Sequence, residues 1–240
     1  YKIRERFIDF VNVFNMGIDE KTNSIIVNKI EEECTKFKDR SAEFKKGFTG
    51  TAPIPYTILA GTYLVDCEPK IFFEWKREDE KFIQLSTKKK ANFPELKIKE
   101  MDNPNVNAES IIVAISTTRR IKKHQLKDFG EQDIIEIYLD DCKDNNITYI
   151  KQLQNYRKVI LDELEALGRK NYPHLNQINL VASIPSCMSL EIGRMIAQNN
   201  NRVKKIVAYH FVNQGTKLYP FGIAVTESQG QYKKGELIQN

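Results

Sequence analysis

The sequence predicts an α/β protein made of two Rossmann-like halves, with mostly parallel sheets and a pseudo-two-fold axis between the halves. Three observations carry this. Strand-like apolar runs alternate with helical patterns along the chain. Some of those runs, Ile71-Phe72-Phe73-Glu74-Trp75 among them, are nearly continuous in large apolar residues, as strands buried on both faces are. There is also an internal echo: Pro53-x7-Gly61-x2-Leu64 returns as Pro185-x7-Gly193-x2-Ile196. Each copy is followed by a polar loop and an apolar strand, and the shared order points to duplication.

In the first half, 1–91, the run Ile8-Asp9-Phe10-Val11-Asn12-Val13-Phe14 reads as a strand that stops at Asn15-Met16-Gly17. Residues 25–46 carry Ile26, Ile30, Cys34, Phe37 and Phe44 near helical spacing, broken by Gly47 and Gly50. After Thr51-Ala52-Pro53-Ile54-Pro55 comes a short apolar helix, 56–65, with Gly61 inside it. A strand follows at 70–75, with a short partner at 82–85. Residues 92–109, with Pro94, Asn103 and Pro104, read as a linker.

The second half, 110–240, opens on the strand Ile111-Ile112-Val113-Ala114-Ile115, which ends at Ser116-Thr117-Thr118-Arg119. Another strand covers 133–139. The helix at 149–170 is the clearest, with Ile150, Leu153, Tyr156, Ile160, Leu164 and Leu167 on one stripe. A strand at 178–184 runs into Pro185, and Ser186 is placed to cap a helix over 186–198. Strands at 203–212 and 218–226 complete the half.

A chain of 240 residues is long enough to bury a sizeable core. Hydrophobic residues at 41% and charged residues at 29% are ordinary for a globular protein, and no stretch approaches the roughly 18 apolar residues a membrane helix needs. Cys34, Cys67, Cys142 and Cys187 stand far apart without CxxC or CxxH spacing, so neither a disulfide framework nor a zinc site is expected, and a cytoplasmic setting is. With only His124, His174 and His210, no metal centre is expected either. The net charge of +5 favours an anionic partner mildly. Its basic runs, Thr87-Lys88-Lys89-Lys90 and Arg119-Arg120-Ile121-Lys122-Lys123, read as solvated loops rather than a groove for long nucleic acid. The start at Tyr1-Lys2-Ile3 has no initiator methionine and no signal core, and reads as a cut from a longer polypeptide.

Ligands of open parallel sheets bind beyond the carboxyl ends of the strands, where helix amino ends offer unpaired N–H groups to anions. The segments expected there are Phe14-Asn15-Met16, Thr51 with Pro53, Thr117-Thr118-Arg119 and Pro185-Ser186-Cys187-Met188, with Arg119 a phosphate partner. Tyr56, Trp75, Phe211 and Tyr219, with Lys76 beside Trp75, are the candidates for stacking bases, each such contact being worth about 1–3 kcal/mol. Catalytic motifs are lacking: the chain has no GxSxG, Walker A, GxGxxG or HExxH. No catalytic residue, metal or cofactor is therefore expected.

The segment 174–227 resembles the carboxyl half of a SAVED domain: a strand ending in Pro185, a helix with central Gly193-Arg194, a further strand, then Tyr219-Pro220. Residues 8–14 resemble that family's opening strand, and 51–75 its short helix with an internal glycine and the strand after it. The order of segments over nearly the whole chain carries the likeness. In place of the family's aspartate-glycine-arginine-like turn stands Asn15-Met16-Gly17-Ile18, without the arginine. The resemblance implies two fused CARF-like units that sense a cyclic di-, tri- or tetranucleotide made by a partner nucleotidyltransferase. It also implies ligand-driven homo-oligomers and a fused anti-phage effector, here expected to precede the chain and in some members membrane-anchored. Two other readings stand beside it: a ring nuclease using His210, Ser116 or Thr117, and an oligomerisation module without ligand.

Overall fold

The computed structural model describes residues 5, 7–15, 17–40, 44–88, 92–199, 205–227 and 233–240. Met16, Lys89, Lys90 and the expected strand start at Val203 lie outside the described residues. The fold is mixed α/β with parallel and antiparallel strand pairs, and it carries two sheets.

The chain opens with α1, Val11–Asn15, where a strand was expected. Val11 N–H donates to Asp9 Oδ1 at 3.0 Å and Phe14 N–H to the Phe10 carbonyl at 2.8 Å. The aspartate cap closes a helical turn that β-branched composition alone argues against. That turn aims Phe10 and Phe14 at Tyr56, with ring centroids 5.6 and 6.3 Å away.

Helix α2, Glu20–Arg40, starts five residues earlier than its apolar stripe indicates. Asp19 Oδ1 accepts from Thr22 N–H at 2.7 Å and Thr22 Oγ1 from Asp19 N–H at 2.8 Å, a reciprocal cap. Strand β1, Gly47–Phe48, then pairs in parallel with β2, Ile71–Lys76, and β2 pairs antiparallel with β3, Lys81–Gln84. Between β1 and β2 lies α3, Ile54–Tyr63.

The larger sheet takes the second half. Strand β4, Lys97–Lys99, lies inside the expected linker and forms an edge by pairing antiparallel with β6. The parallel centre consists of β5, Ser110–Ser116, β6, Ile134–Tyr138, β7, Gln177–Ser183, and β8, Lys205–His210. Antiparallel β9, Phe221–Ala224, and β10, Leu237–Gln239, close the other side, giving the order β10-β9-β8-β7-β5-β6-β4.

Both faces of the parallel centre are covered, which is why β5 reads as an unbroken apolar run. Ile111, Val113 and Ile115 enter the main core with Ile178, Leu180, Ile206 and Ala208. There they meet α3, α4, Ile150–Lys170, and α5, Ser186–Gln198. Ile112, Ala114, Val181, Val207 and Tyr209 pack on the opposite face against Leu126 and Phe129 of a 3-10 helix, Lys123–Phe129, and against Tyr219. Of the second basic run only Lys123 joins that helix, and Arg119 to Lys122 form the loop before it.

The internal echo meets itself in space. A Cβ on Gly61 would fall onto the Leu190 carbonyl oxygen and lie 3.0 Å from the Gly193 Cα. A Cβ on Gly193 would fall onto the Ile58 carbonyl oxygen. The two glycines therefore mark the crossing of α3 and α5, each facing the residue three positions before the other. Arg194 Nε donates to the Leu64 carbonyl at 3.1 Å and Gln198 Nε2 to that of Val65 at 3.3 Å. The carboxyl ends of both helices thus lie together, and the helices run in the same sense.

Candidate functional site

The parallel register aligns the carboxyl ends of four strands: Ser116 lies opposite Ser183 and Tyr138, and β8 ends alongside β7 at His210. α5 leaves directly from β7, so its amino end opens at this edge. α3 runs in the same sense, and its amino end at Pro53 opens on the same side.

The turns after β5 and β7 are knitted together. Thr117 and Thr118 N–H both donate to the Ser183 carbonyl at 2.9 Å, Thr118 Oγ1 lies 2.8 Å from Ser183 Oγ, and Arg119 N–H donates to that Oγ at 3.1 Å. Thr117 is wholly buried, and its Oγ1 has no hydrogen-bond partner among the described residues. Arg119 is exposed. Its neighbour Arg120 is held 2.5 Å from Glu136 and lies 3.3 Å over the Tyr138 ring. At the end of β8, His210 sits between Phe14, 5.4 Å away and edge-on, and Phe221, 5.2 Å away. Burial pushes the imidazole below its ordinary range, favouring the neutral ring.

The structure therefore gathers Phe14, Asn15, Pro53, Thr117, Thr118, Arg119, Pro185 and Ser186 on one side of the molecule, with exposed Thr51 leading into α3. It takes the stacking candidates elsewhere. Tyr56 is 1% exposed and donates its hydroxyl to Asn23 Oδ1 at 2.9 Å, so it is a core tyrosine with no free ring face. Trp75 is 37% exposed but shares the open face of the small sheet with Phe82, ring centroids 5.0 Å apart. Strand alternation turns that face away from Glu74 and α5. Lys76 is tied to Asp79 at 3.0 Å. Tyr219 is buried and Phe211 half-buried on the opposite face of the large sheet, where Tyr219 packs on Phe129 at 5.5 Å. Met188 and Cys187 are side chains of the core.

Ser186 is not the cap of α5. Pro185 holds the capping position, and no side chain of that turn closes it. The partner is Glu74 of β2, whose Oε1 accepts from Cys187 N–H, with Ser186 N–H contributing. Glu74 is 8% exposed. Its burial raises the carboxyl above the usual range, the α5 donors pulling it back in part. The same carboxylate helps hold the Cys187 thiol, wholly buried, in its protonated form. Sequence reading passes over Glu74 as the residue where a strand leaves the core; the available signal is an acid at an inward position of Ile71-Phe72-Phe73-Glu74-Trp75.

Farther along α5, Arg194 is 2% exposed and meets Glu191, which also takes Arg157 of α4. Open clefts occur at Asp19–Lys21, in the first turn of α2, and around Asn107, Glu109, His174 and Asn176. The latter lies at the amino ends of β5 and β7, opposite the edge described here. Among the described residues no helix is long and apolar enough to cross a membrane.

The family profile of the SAVED domain, described as "SMODS-associated and fused to various effectors sensor domain", matches residues 30–225. The chain belongs to the SAVED family. No curated protein matches. Among solved structures this SAVED domain resembles the Acinetobacter baumannii Cap4 SAVED/CARF-domain containing receptor with the cyclic trinucleotide 2'3'3'-cAAA, at TM-score 0.58 and 15% identity. It resembles the same receptor with 3'3'3'-cAAA at TM-score 0.57 and 14% identity. Each match covers 83% of this chain and 43% of the other. A third structure of that receptor gives 0.58 at 13% identity, covering 89% and 43%. At such identities the likeness is one of fold, and the chain spans less than half the length of those receptors.

Proposed function

We propose that this SAVED domain is the receptor for a cyclic oligonucleotide second messenger, bound on the side where the amino ends of α3 and α5 meet the carboxyl ends of β5, β7 and β8. One observation carries the reading: the two echoed helices cross glycine to glycine and run in the same sense. A ligand with repeated phosphates, as the trinucleotides of the Cap4 receptors have, suits an edge built from two equivalent helix starts. Residues 1–91 and 110–240 are the two halves so paired, with 92–109 between them. Phe14, Asn15, Thr51, Pro53, Thr117, Thr118, Arg119, Pro185 and Ser186 would contact the ligand. A fused effector answering the sensor, ligand-driven self-association and a cytoplasmic setting belong to the same proposal.

The domain is read as a receptor without chemistry of its own. Ser116 Oγ accepts from Ile121 N–H at 3.0 Å on the sheet face opposite His210, and Thr117 is buried, so the groups a ring nuclease would use do not converge. The test is a thermal-shift screen against cyclic di-, tri- and tetranucleotides in both linkage types. A ligand at 100 times its Kd adds about 2.7 kcal/mol, a shift that is easily read. One clear hit supports the receptor; silence across the panel favours an oligomerisation module.

A further inference from the structure

Glu74 stands where the proposed ligand needs a helix start. The amino end of α5 is the natural seat for a phosphate, because Pro185 brings no N–H and no capping side chain, and the first turn leaves its amides unpaired. Yet those amides are already engaged by a carboxylate from 113 positions away, reaching across from the small sheet. A carboxylate at an inward position of an apolar strand costs desolvation that an apolar or amide side chain would avoid. Two anions cannot share one set of buried amides without strong mutual repulsion.

Glu74 also ties the small sheet to α5, beside Phe72, which enters the main core. Phe72 and Glu74 point the same way from β2, toward α5, while β3 is exposed along its whole length. Among the described residues no helix covers the opposite face of this sheet, with Ile71, Phe73, Trp75 and Phe82, and Trp75 and Phe82 are exposed. Beyond β3, Ser86 bridges to Tyr149 at the start of α4. Release of Glu74 would therefore be felt mainly in β2 and β3.

We propose that the Glu74 carboxylate is an internal anion occupying the place of a ligand phosphate, and that ligand binding displaces it from α5 and loosens β2–β3. The proposal rests on the receptor reading above and names the contact through which that site reports occupancy. Glu74 then lowers affinity in exchange for coupling, since part of the binding energy goes into breaking its cap.

The test compares the full 240-residue chain with its Glu74→Gln variant, each titrated with 3'3'3'-cAAA, 2'3'3'-cAAA and the cyclic dinucleotides of the screen. Glutamine keeps the shape and an acceptor oxygen but removes the competing charge. The expected result is binding at least about tenfold tighter in the variant, or a hit that only the variant shows. A variant that binds within twofold of the parent, or more weakly, overturns the displacement while leaving the receptor standing. Silence from both chains removes the receptor reading and this inference together. Should the variant not fold, hydrogen exchange decides on the parent chain: faster exchange over 71–84 on ligand addition supports displacement, and unchanged or slower exchange overturns it.

Discussion

Glu74 and Arg194 are charged side chains buried beside α5, and their surroundings differ. Against its desolvation Glu74 keeps the Cys187 thiol and the Cys187 and Ser186 amides as donors, and burial still raises its carboxyl above the ordinary value of 4.5. An acid raised in the folded state stabilises fully below its unfolded pKa, and that contribution is lost as pH rises through the folded value. Urea midpoints measured from pH 4 upward should therefore fall in the parent relative to Glu74→Gln, which lacks this titration. Parallel curves would show that folding does not raise this carboxyl. Arg194 is the opposite case, matched by Glu191 and by the carbonyls of Leu64 and Val65. Truncation by Arg194→Ala leaves Glu191 with Arg157, Leu64 with the Cys67 N–H and Val65 with Gln198, and should cost about 1–3 kcal/mol in urea denaturation. At the surface, Arg119→Glu should leave the urea midpoint unchanged and weaken ligand binding; unchanged binding would take Arg119 out of the site.

Among the elements, the crossing of α3 and α5 fixes where the two helix starts lie. Helix backbones this close tolerate no Cβ at the contact, and the obstacle on each side is a carbonyl oxygen of the other helix. Gly193→Ala should destabilise by about 1–3 kcal/mol or more, since the helices have to part. Its ligand affinity should fall with it; a stable variant with full affinity would separate the crossing from the site. The spacing of Pro53-x7-Gly61 and Pro185-x7-Gly193 was legible as an echo, because proline and glycine stand out locally, and so was the start of α5 after Pro185. That the two glycines touch was not legible, being a relation between residues 132 positions apart in numbering. The run at 8–14 misled for the reverse reason. Its composition favours a strand, but Asp9 and the Tyr56 ring make a helical turn of it. Strands of three residues such as β4 and β10 exist only through their partners, and no periodicity announces them.

Over the whole molecule, the alternation of apolar runs and helical stripes was enough to predict an α/β fold, because the parallel centre is buried on both faces. The two stretches are nonetheless unequal: among the described residues 1–91 contributes three strands, 110–240 six, and the stretch between them β4. Two of the loops expected at strand ends did meet, since Thr117, Thr118 and Arg119 are all bonded to Ser183. The aromatic candidates did not. Whether Tyr56 or Tyr219 stacks on a ligand or fills the core depends on Asn23 and Phe129, partners from distant segments that a local pattern does not name.

The proposed site, built from two halves of one chain, has a consequence at this same scale. Each chain should hold one complete cyclic ligand, whatever assembly it later joins. Isothermal titration of the thermal-shift hit into the 240-residue chain, read with native mass spectrometry, counts ligands directly. One ligand per chain, bound already by the monomer, is the predicted result. One ligand per two chains, with none on the monomer, would contradict it and place the site between molecules instead of between α3 and α5.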